Sequence, residues 1–381
     1  MKITHIINSL KKGGAEGNLY RICKFHKKKY NNKIDITVIT LIENGFYESE
    51  LKKSGIKIFS LKIDKKIKFF DFIKKILKLR KFIQKQNPDI IQSWMYHSNF
   101  ITIFFPKIFY NKIFWNIRHS ELNTKISKKM TILLSIICGL FSKAIPKKII
   151  YCSKKSIEFH ENVHFYSKNK TVLIYNGFND KTFYSSKYLR LNFRKKNKIK
   201  KSDIILGFAG RYAKQKNIAS LLLAFSKIMK NYNNVYLYMV GKDINYQNKE
   251  LTNYIINLKI TNKVIFLNEQ KNLLKFYNGI DMLVLSSHSE SFPNVVAEAM
   301  LCSTPVLASN AGCSKKIIKN CGFIMSNNNS QSIIHGLKKS IDVFNNKKKK
   351  WKSLKKNSQL RIKKNFSIEK IANTYFQKWI F

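Results

Sequence analysis

The sequence predicts two consecutive α/β domains, each a parallel sheet flanked by helices. Three observations carry that expectation. Short β-branched runs alternate with segments of helical apolar spacing along most of the chain, the pattern of parallel strands joined by helical crossovers. At 381 residues the chain exceeds what one hydrophobic core usually serves. A lysine- and arginine-rich stretch without a clear period, residues 179–202, divides the pattern into two series of similar size.

In the first series residues 2–8 read as a strand, Gly13-Gly14 as a turn and residues 16–28 as a helix. Residues 34–40 and 56–61 read as further strands. Phe69, Phe70, Ile73, Ile76, Leu77 and Phe82 then recur at helical spacing, and Asn87-Pro88 stops that helix before a strand at 89–93. Strands are expected at 113–118, 148–152 and 172–175. Residues 179–202 read as an interdomain linker with one frayed helical piece. The second series runs strand 204–209, helix 217–229, strands 235–240, 264–267 and 282–285, a helix from Asn294 to Leu301, and strand 305–308. Residues 366–380 read as a tail helix with Ile368, Ile371, Ala372, Tyr375 and Phe376 on one side.

Composition narrows the class. A hydrophobic content of 44% argues against disorder. The formal net charge of +51 comes almost wholly from lysine, beside abundant asparagine, isoleucine and phenylalanine. That mixture is what an AT-rich genome writes, so codon bias explains much of it; the functional reading is attraction to an anionic membrane face or another polyanion. No nucleic-acid module is visible, and no specific nucleic-acid partner is expected. Six scattered cysteines without a C-x-x-C pair point to a reduced chain rather than a zinc site or disulfide framework. The first ten residues lack a signal peptide's long apolar core. No apolar run reaches the ~20 residues of a membrane span; residues 101–109 and 130–141, short and lysine-flanked, read as buried or interfacial helices. A cytoplasmic protein, soluble or peripheral on the inner membrane face, is the expectation.

The chemistry concentrates at strand ends. Residues 286–300 run Ser-Ser-His-Ser-Glu-Ser-Phe-Pro-Asn-Val-Val-Ala-Glu-Ala-Met across a strand-to-helix turn. Glu290 falls in the turn and Glu298 one turn into the helix, so both carboxylates can accept hydrogen bonds from sugar hydroxyls of one ligand. Ser291, Phe292, Pro293 and Asn294 form the helix start, whose free N–H groups suit a phosphate. An isolated pair at this spacing would read as a helix cap and a surface residue. A second segment, Gly207-Phe208-Ala209-Gly210-Arg211-Tyr212-Ala213-Lys214-Gln215-Lys216, places a basic pair, Arg211 and Lys216, at a strand end just before a helix. Arginine is scarce in this lysine-rich chain, so Arg211 carries more weight. Gly13-Gly14 between the first strand and helix permits close approach of a phosphate. His119 ends the strand Trp115-Asn116-Ile117-Arg118, and His97 follows Trp94-Met95-Tyr96 at another strand end. No D-x-D motif or metal-ligating cluster is seen.

Together these segments resemble glycosyltransferase family 4. The residues from Glu290 to Glu298 match its E-x7-E donor motif, Gly210 to Lys216 its G-R-x-x-x-x-K, and Gly13 to Glu16 its opening G-G-A-E. The chain departs from the pattern at Ser291 and Ser303, which replace glycines, at Asp243, which replaces the second glycine of V-G-x-G, and at Asn179, where aspartate is common. The resemblance implies a GT-B architecture: two facing Rossmann-like domains with a central cleft, 1–178 on the acceptor side and 203–365 on the nucleotide-sugar side, the tail helix 366–381 returning to the first. It further implies a retaining hexose transfer from a UDP- or GDP-sugar, without a metal or other cofactor. In such enzymes the residue matching Glu298 holds the ribose and that matching Glu290 the donor sugar. Gly13, Gly14, Gly210, Arg211, Lys216 and Ser291 to Asn294 bind the donor phosphates and sugar, His119 faces the sugar, and His97 lines the acceptor side. The implied acceptor is a glycan, lipid-linked, in cell-surface polysaccharide or lipopolysaccharide synthesis. The stretch 65–85, lysine with phenylalanine and isoleucine at helical spacing, reads as a sheet-covering helix with a solvated lysine face whose lysines can attract an anionic bilayer. A nucleotide-sugar epimerase of the same fold, and a non-catalytic polyanion-binding protein, are the alternatives.

Overall fold

The computed structural model describes residues 1–42, 45–64, 67–123 and 127–381. The chain forms two units, Met1–Gly177 with Ile368–Phe381, and Phe178–Ser367. In the first, β1 (Lys2–Ile7), β2 (Asp35–Thr40), β3 (Lys57–Ser60), β4 (Ile90–Trp94), β5 (Ile113–Ile117), β6 (Lys148–Tyr151) and β7 (Thr171–Leu173) form one sheet. Their order is β3-β2-β1-β4-β5-β6-β7, every pair parallel. Helical crossovers cover both faces of such a sheet. That is why β4 and β5 are buried along their whole length.

The buried polar residues of β4 and β5 are used to hold the tail helix Ile368–Ile380. Trp379 Nε1 donates to Gln92 Oε1 at 3.0 Å, and Asn116 Nδ2 donates to the Tyr375 hydroxyl at 2.8 Å. Arg118, directly after β5, is buried without a carboxylate. It donates to Asn116 Oδ1 (2.6 Å), Asn176 Oδ1 (2.7 Å), the Ile174 carbonyl and the Tyr375 hydroxyl, and lies 5.5 Å from the Trp94 ring centroid. A buried guanidinium is tolerated here because neutral acceptors satisfy its fork.

The second unit holds β8 (Ile204–Ala209), β9 (Val235–Val240), β10 (Val264–Phe266), β11 (Met282–Leu285), β12 (Val306–Ala308) and β13 (Phe323–Ile324). They pair in parallel in the order β10-β9-β8-β11-β12-β13. Two residues are too few for a period, which is why β13 was not legible in the sequence. In each unit the order reverses once, at β1/β4 and at β8/β11. Such a switch point opens a crevice at the strands' carboxyl ends where ligands bind.

Residues 179–202 are not a free linker: they belong to the second unit. The helix Lys187–Lys196 is capped by Ser186 and tied to β11 by Arg190 and Arg194, which reach Asp281 at 2.6 and 3.3 Å. The tie joins these ion pairs to a single aromatic, Phe193 against Tyr238 and Phe276, so the segment lacks the apolar period that would have marked it. Residues 101–109, expected as one helix, instead carry two 3-10 turns, Thr102–Phe104 and Lys107–Lys112, separated at Pro106. Among the described residues no helix is long and apolar enough to cross a membrane.

Of the basic stretch 65–85, residues 65 and 66 lie outside the described residues. The rest forms the helix Phe69–Gln86, which buries Ile76, Leu79 and Ile83 but leaves Phe69 and Phe70 71% and 77% exposed. Lys347 to Lys350 are exposed and precede the buried Trp351.

Candidate functional site

The segments after β8 and β11 meet at the switch point of the second unit. Lys216 Nζ lies 2.6 Å from Glu290 Oε1, an ion pair largely shielded from solvent. Ser287 donates to the same carboxylate oxygen at 2.7 Å, so Glu290 is held from two sides. Around this pair the two loops are stitched through their backbones. His288 N donates to the Gln215 carbonyl (2.9 Å), Gln215 Nε2 to the Ser289 carbonyl (2.6 Å), and the Ser286 hydroxyl to the Lys216 carbonyl (2.9 Å). Arg211, one residue beyond Gly210, is exposed and has no ion-pair partner among the described residues. The loop thus presents Arg211 and Lys214 to solvent and holds Lys216 against a carboxylate.

Glu298 is the fifth residue of the helix Asn294–Leu301, and its Oε2 accepts a hydrogen bond from the Tyr277 hydroxyl at 2.9 Å. Burial, reinforced by the neighbouring Glu298 charge, pushes the Tyr277 phenol well above its ordinary range, so it remains a donor. Sequence reading missed Tyr277. It lies on the short helix Leu274–Gly279, outside any motif, and only the fold brings it to Glu298. The helix Asn294–Leu301 starts at Pro293 with no side-chain cap, and the Val296 N–H turns back to the Pro293 carbonyl (3.1 Å). Phe292 is packed between Phe178 and Phe366 (ring centroids 5.8 and 5.6 Å), which anchors the turn.

Backbone conformation separates the positions that depart from the family pattern. Ser291 is not among the residues with positive φ, so serine is accommodated without strain. Ser303 (φ 57°) and Asp243 (φ 59°) do occupy the left-handed region that favours glycine. Replacing Ser303 by glycine is expected to raise stability by about 1 kcal/mol, the left-handed penalty of an L-residue. A urea midpoint that stays put or falls would contradict it. Gly312 (φ 55°) is needed outright: a Cβ there would overlap the Glu290 carbonyl. Gly241 likewise permits the chain to pass the Gly210 carbonyl.

In the first unit Gly13 precedes the helix Gly14–Tyr30, and the Glu16 side chain folds back over it. Burial raises the Glu16 carboxyl above its ordinary value. His119 lies two residues beyond β5 and is exposed. His97 sits on the helix Met95–Ile101 that leaves β4 directly; burial, then Lys128, lowers its pKa. No cluster of three or more metal-ligating side chains occurs among the described residues.

Residues 190–361 match the family described as Glycosyl transferases group 1. Over 316 residues the chain is 28% identical to an uncharacterized glycosyltransferase of Methanocaldococcus jannaschii, spanning 78% of this chain and 73% of the relative. It is 24% identical over 193 residues to the capsular polysaccharide biosynthesis glycosyltransferase CapM of Staphylococcus aureus, spanning 48% of this chain and 50% of the relative. The crystal structure of Anabaena HepE in complex with UDP-glucose matches with a TM-score of 0.81 at 20% identity, over 99% of both chains. The two parallel-sheet units with their C-terminal helix are those of the GT-B fold.

Proposed function

We propose that this chain, a group 1 glycosyltransferase, moves a hexose-type sugar from a UDP- or GDP-sugar to a lipid-linked glycan acceptor with retention of configuration. The observation that carries this reading is the set of groups at the β8/β11 switch point. There the loops after β8 and β11 bring together the Lys216–Glu290 pair and the exposed Arg211, and the helix that follows carries the Tyr277-held Glu298. That set matches the parts of a nucleotide sugar: Glu298 for ribose hydroxyls, Glu290 for sugar hydroxyls, and Arg211, Lys216 and backbone N–H groups for the diphosphate. In this reading those cations and N–H groups, not a metal, offset the charge that develops on the leaving group. His119 is assigned to the donor sugar and His97 to the acceptor. The bond from the anomeric carbon to the phosphate oxygen breaks. The acceptor oxygen bonds to the same face, and its proton passes to the leaving phosphate.

CapM's role in capsular polysaccharide synthesis supports a cell-surface glycan as product, and the UDP-glucose bound to HepE supports a nucleotide-sugar donor. Incubation with a panel of UDP- and GDP-sugars is expected to show binding and slow donor hydrolysis; no binding to any of them would sink the reading. Glu298→Ala is expected to weaken donor binding by roughly ten- to hundred-fold, the loss of a charge-assisted bond of ~1.5–3 kcal/mol. Unchanged affinity by calorimetry would remove the ribose assignment.

An anionic membrane face is the proposed site of work. Phe69 and Phe70 stand exposed at the start of a helix whose outer face carries Lys74, Lys78 and Lys81. Binding to vesicles containing anionic phosphatidylglycerol is expected, and it should fall with Phe69→Ser and Phe70→Ser together. Equal sedimentation of this variant and the wild type would reject that surface.

A further inference from the structure

We infer that Tyr96, Ser156 and His160 are positioning residues for His119, a closed set of contacts that fixes its ring at the carboxyl end of β5. The inference rests on the reading of His119 as a residue that serves the donor sugar. Ser156 Oγ donates to the His119 carbonyl at 2.5 Å, which sets the backbone from which the imidazole projects. The ring itself lies against Tyr96, centroids 5.6 Å apart and tilted by 33°. An exposed histidine after a strand would otherwise sample several rotamers; an aromatic wall on one side restricts it.

The wall is itself held. Tyr96 is buried, and its hydroxyl lies 2.6 Å from His160 Nε2. His160 Nδ1 lies 2.6 Å from the Ser156 carbonyl. A carbonyl only accepts, so Nδ1 carries the proton and Nε2 accepts from the tyrosine. Burial lowers His160 to about 3, so the ring stays neutral and keeps this tautomer through the physiological range. The contacts run His119, Tyr96, His160, Ser156 and back to His119, drawing on the helix after β4, the turn after β5 and the helix Lys154–Val163.

The backbone supplies a separate indication. Met95, between β4 and Tyr96, has φ 71°, a left-handed conformation rare for a residue of its kind. Without that turn the chain would leave β4 in another direction, and Tyr96 would not face His119. Strain of this sort persists where the surroundings over-determine it, and the anchored Tyr96 hydroxyl is one such constraint. Packing alone does not call for the arrangement, because phenylalanine and leucine would fill the same core without buried polar groups to satisfy.

The test compares Tyr96→Phe, which keeps the ring and removes the hydroxyl, with Ser156→Ala, His160→Leu and His160→Gln, beside His119→Ala. Each is assayed by sugar transfer or hydrolysis of whichever donor the panel identifies. Tyr96→Phe, Ser156→Ala and His160→Leu are expected to lower kcat by about ten- to hundred-fold with the donor KM within two-fold, as a misplaced group does. His160→Gln, whose amide oxygen can still accept from Tyr96, should recover part of the loss. If His119→Ala is impaired but Tyr96→Phe and Ser156→Ala turn over at the wild-type rate, the positioning role is wrong while the reading of His119 stands. If His119→Ala itself is unimpaired, that reading falls and this inference with it. A crystal structure of Tyr96→Phe with the His119 ring in its wild-type orientation would overturn the positioning role whatever the activity.

Discussion

Lowering the pH from 7.5 to 5 is expected to remove about 6 kcal/mol from the stability of the first unit, from three buried histidines at ~2 kcal/mol each. Burial, with the nearby His26, pushes His5 down to about 3. Burial also lowers His26 to about 4, against a hydrogen bond to the Ala372 carbonyl and with help from the Lys29 charge. His160 stands at about 3 for the reason already given. All three folded values lie below the unfolded histidine value of 6.5. Above 6.5 neither state is protonated and nothing is lost. Between 6.5 and the folded values the unfolded chain binds protons that the folded unit refuses, so stability drops as the pH falls. At pH 5 each group is about 1.5 units into its window, which sets the ~2 kcal/mol figure at 1.36 kcal/mol per unit. A loss of that size rivals the whole stability of an ordinary domain.

Tryptophan fluorescence suits the measurement. Three of the four tryptophans, Trp94, Trp115 and Trp379, are buried in the first unit, and Trp351→Phe removes the remaining one. Urea midpoints read from that variant should fall steadily from pH 6.5 to 5. A midpoint flat across that range would show that the three imidazoles can be charged in place.

Arg211→Ala is expected to reduce kcat by about 10²–10³-fold, equivalent to ~2.7–4 kcal/mol of lost transition-state stabilisation, with little change in stability. The guanidinium is exposed and without an ion-pair partner among the described residues, so the fold does not depend on it. Its place one residue after the switch-point glycine suits a diphosphate whose charge grows as the sugar leaves. Lys216→Ala is a less clean experiment: it strips the buried Glu290 of its cation and disturbs the loop along with any catalytic role. Arg211→Ala therefore separates chemistry from folding. Wild-type turnover in that variant would remove the residue from the reaction.

Much of this molecule was legible residue by residue. The β-branched runs marked most of the strands, because a strand buried on both faces needs such side chains along its own length. The glycine-arginine turn after β8 and the glutamates flanking the start of Asn294–Leu301 were visible because strand-end and helix-start chemistry is local. The basic stretch 179–202 misled, since its docking depends on Asp281, some ninety residues along the chain.

The sequence by itself thus determined two parallel α/β units and the strand ends at which chemistry is placed. Tertiary structure alone decided how those ends are held. It brought Tyr277 to Glu298, Trp379 to Gln92 across 287 positions, and Tyr96 to His160. It also set the left-handed conformations of Ser303 and Asp243, where the residue type argues for something else. The reason is physical. Periodicity and turn chemistry are properties of neighbouring residues, whereas a buried hydrogen bond between distant side chains exists only once the sheet order has brought them together.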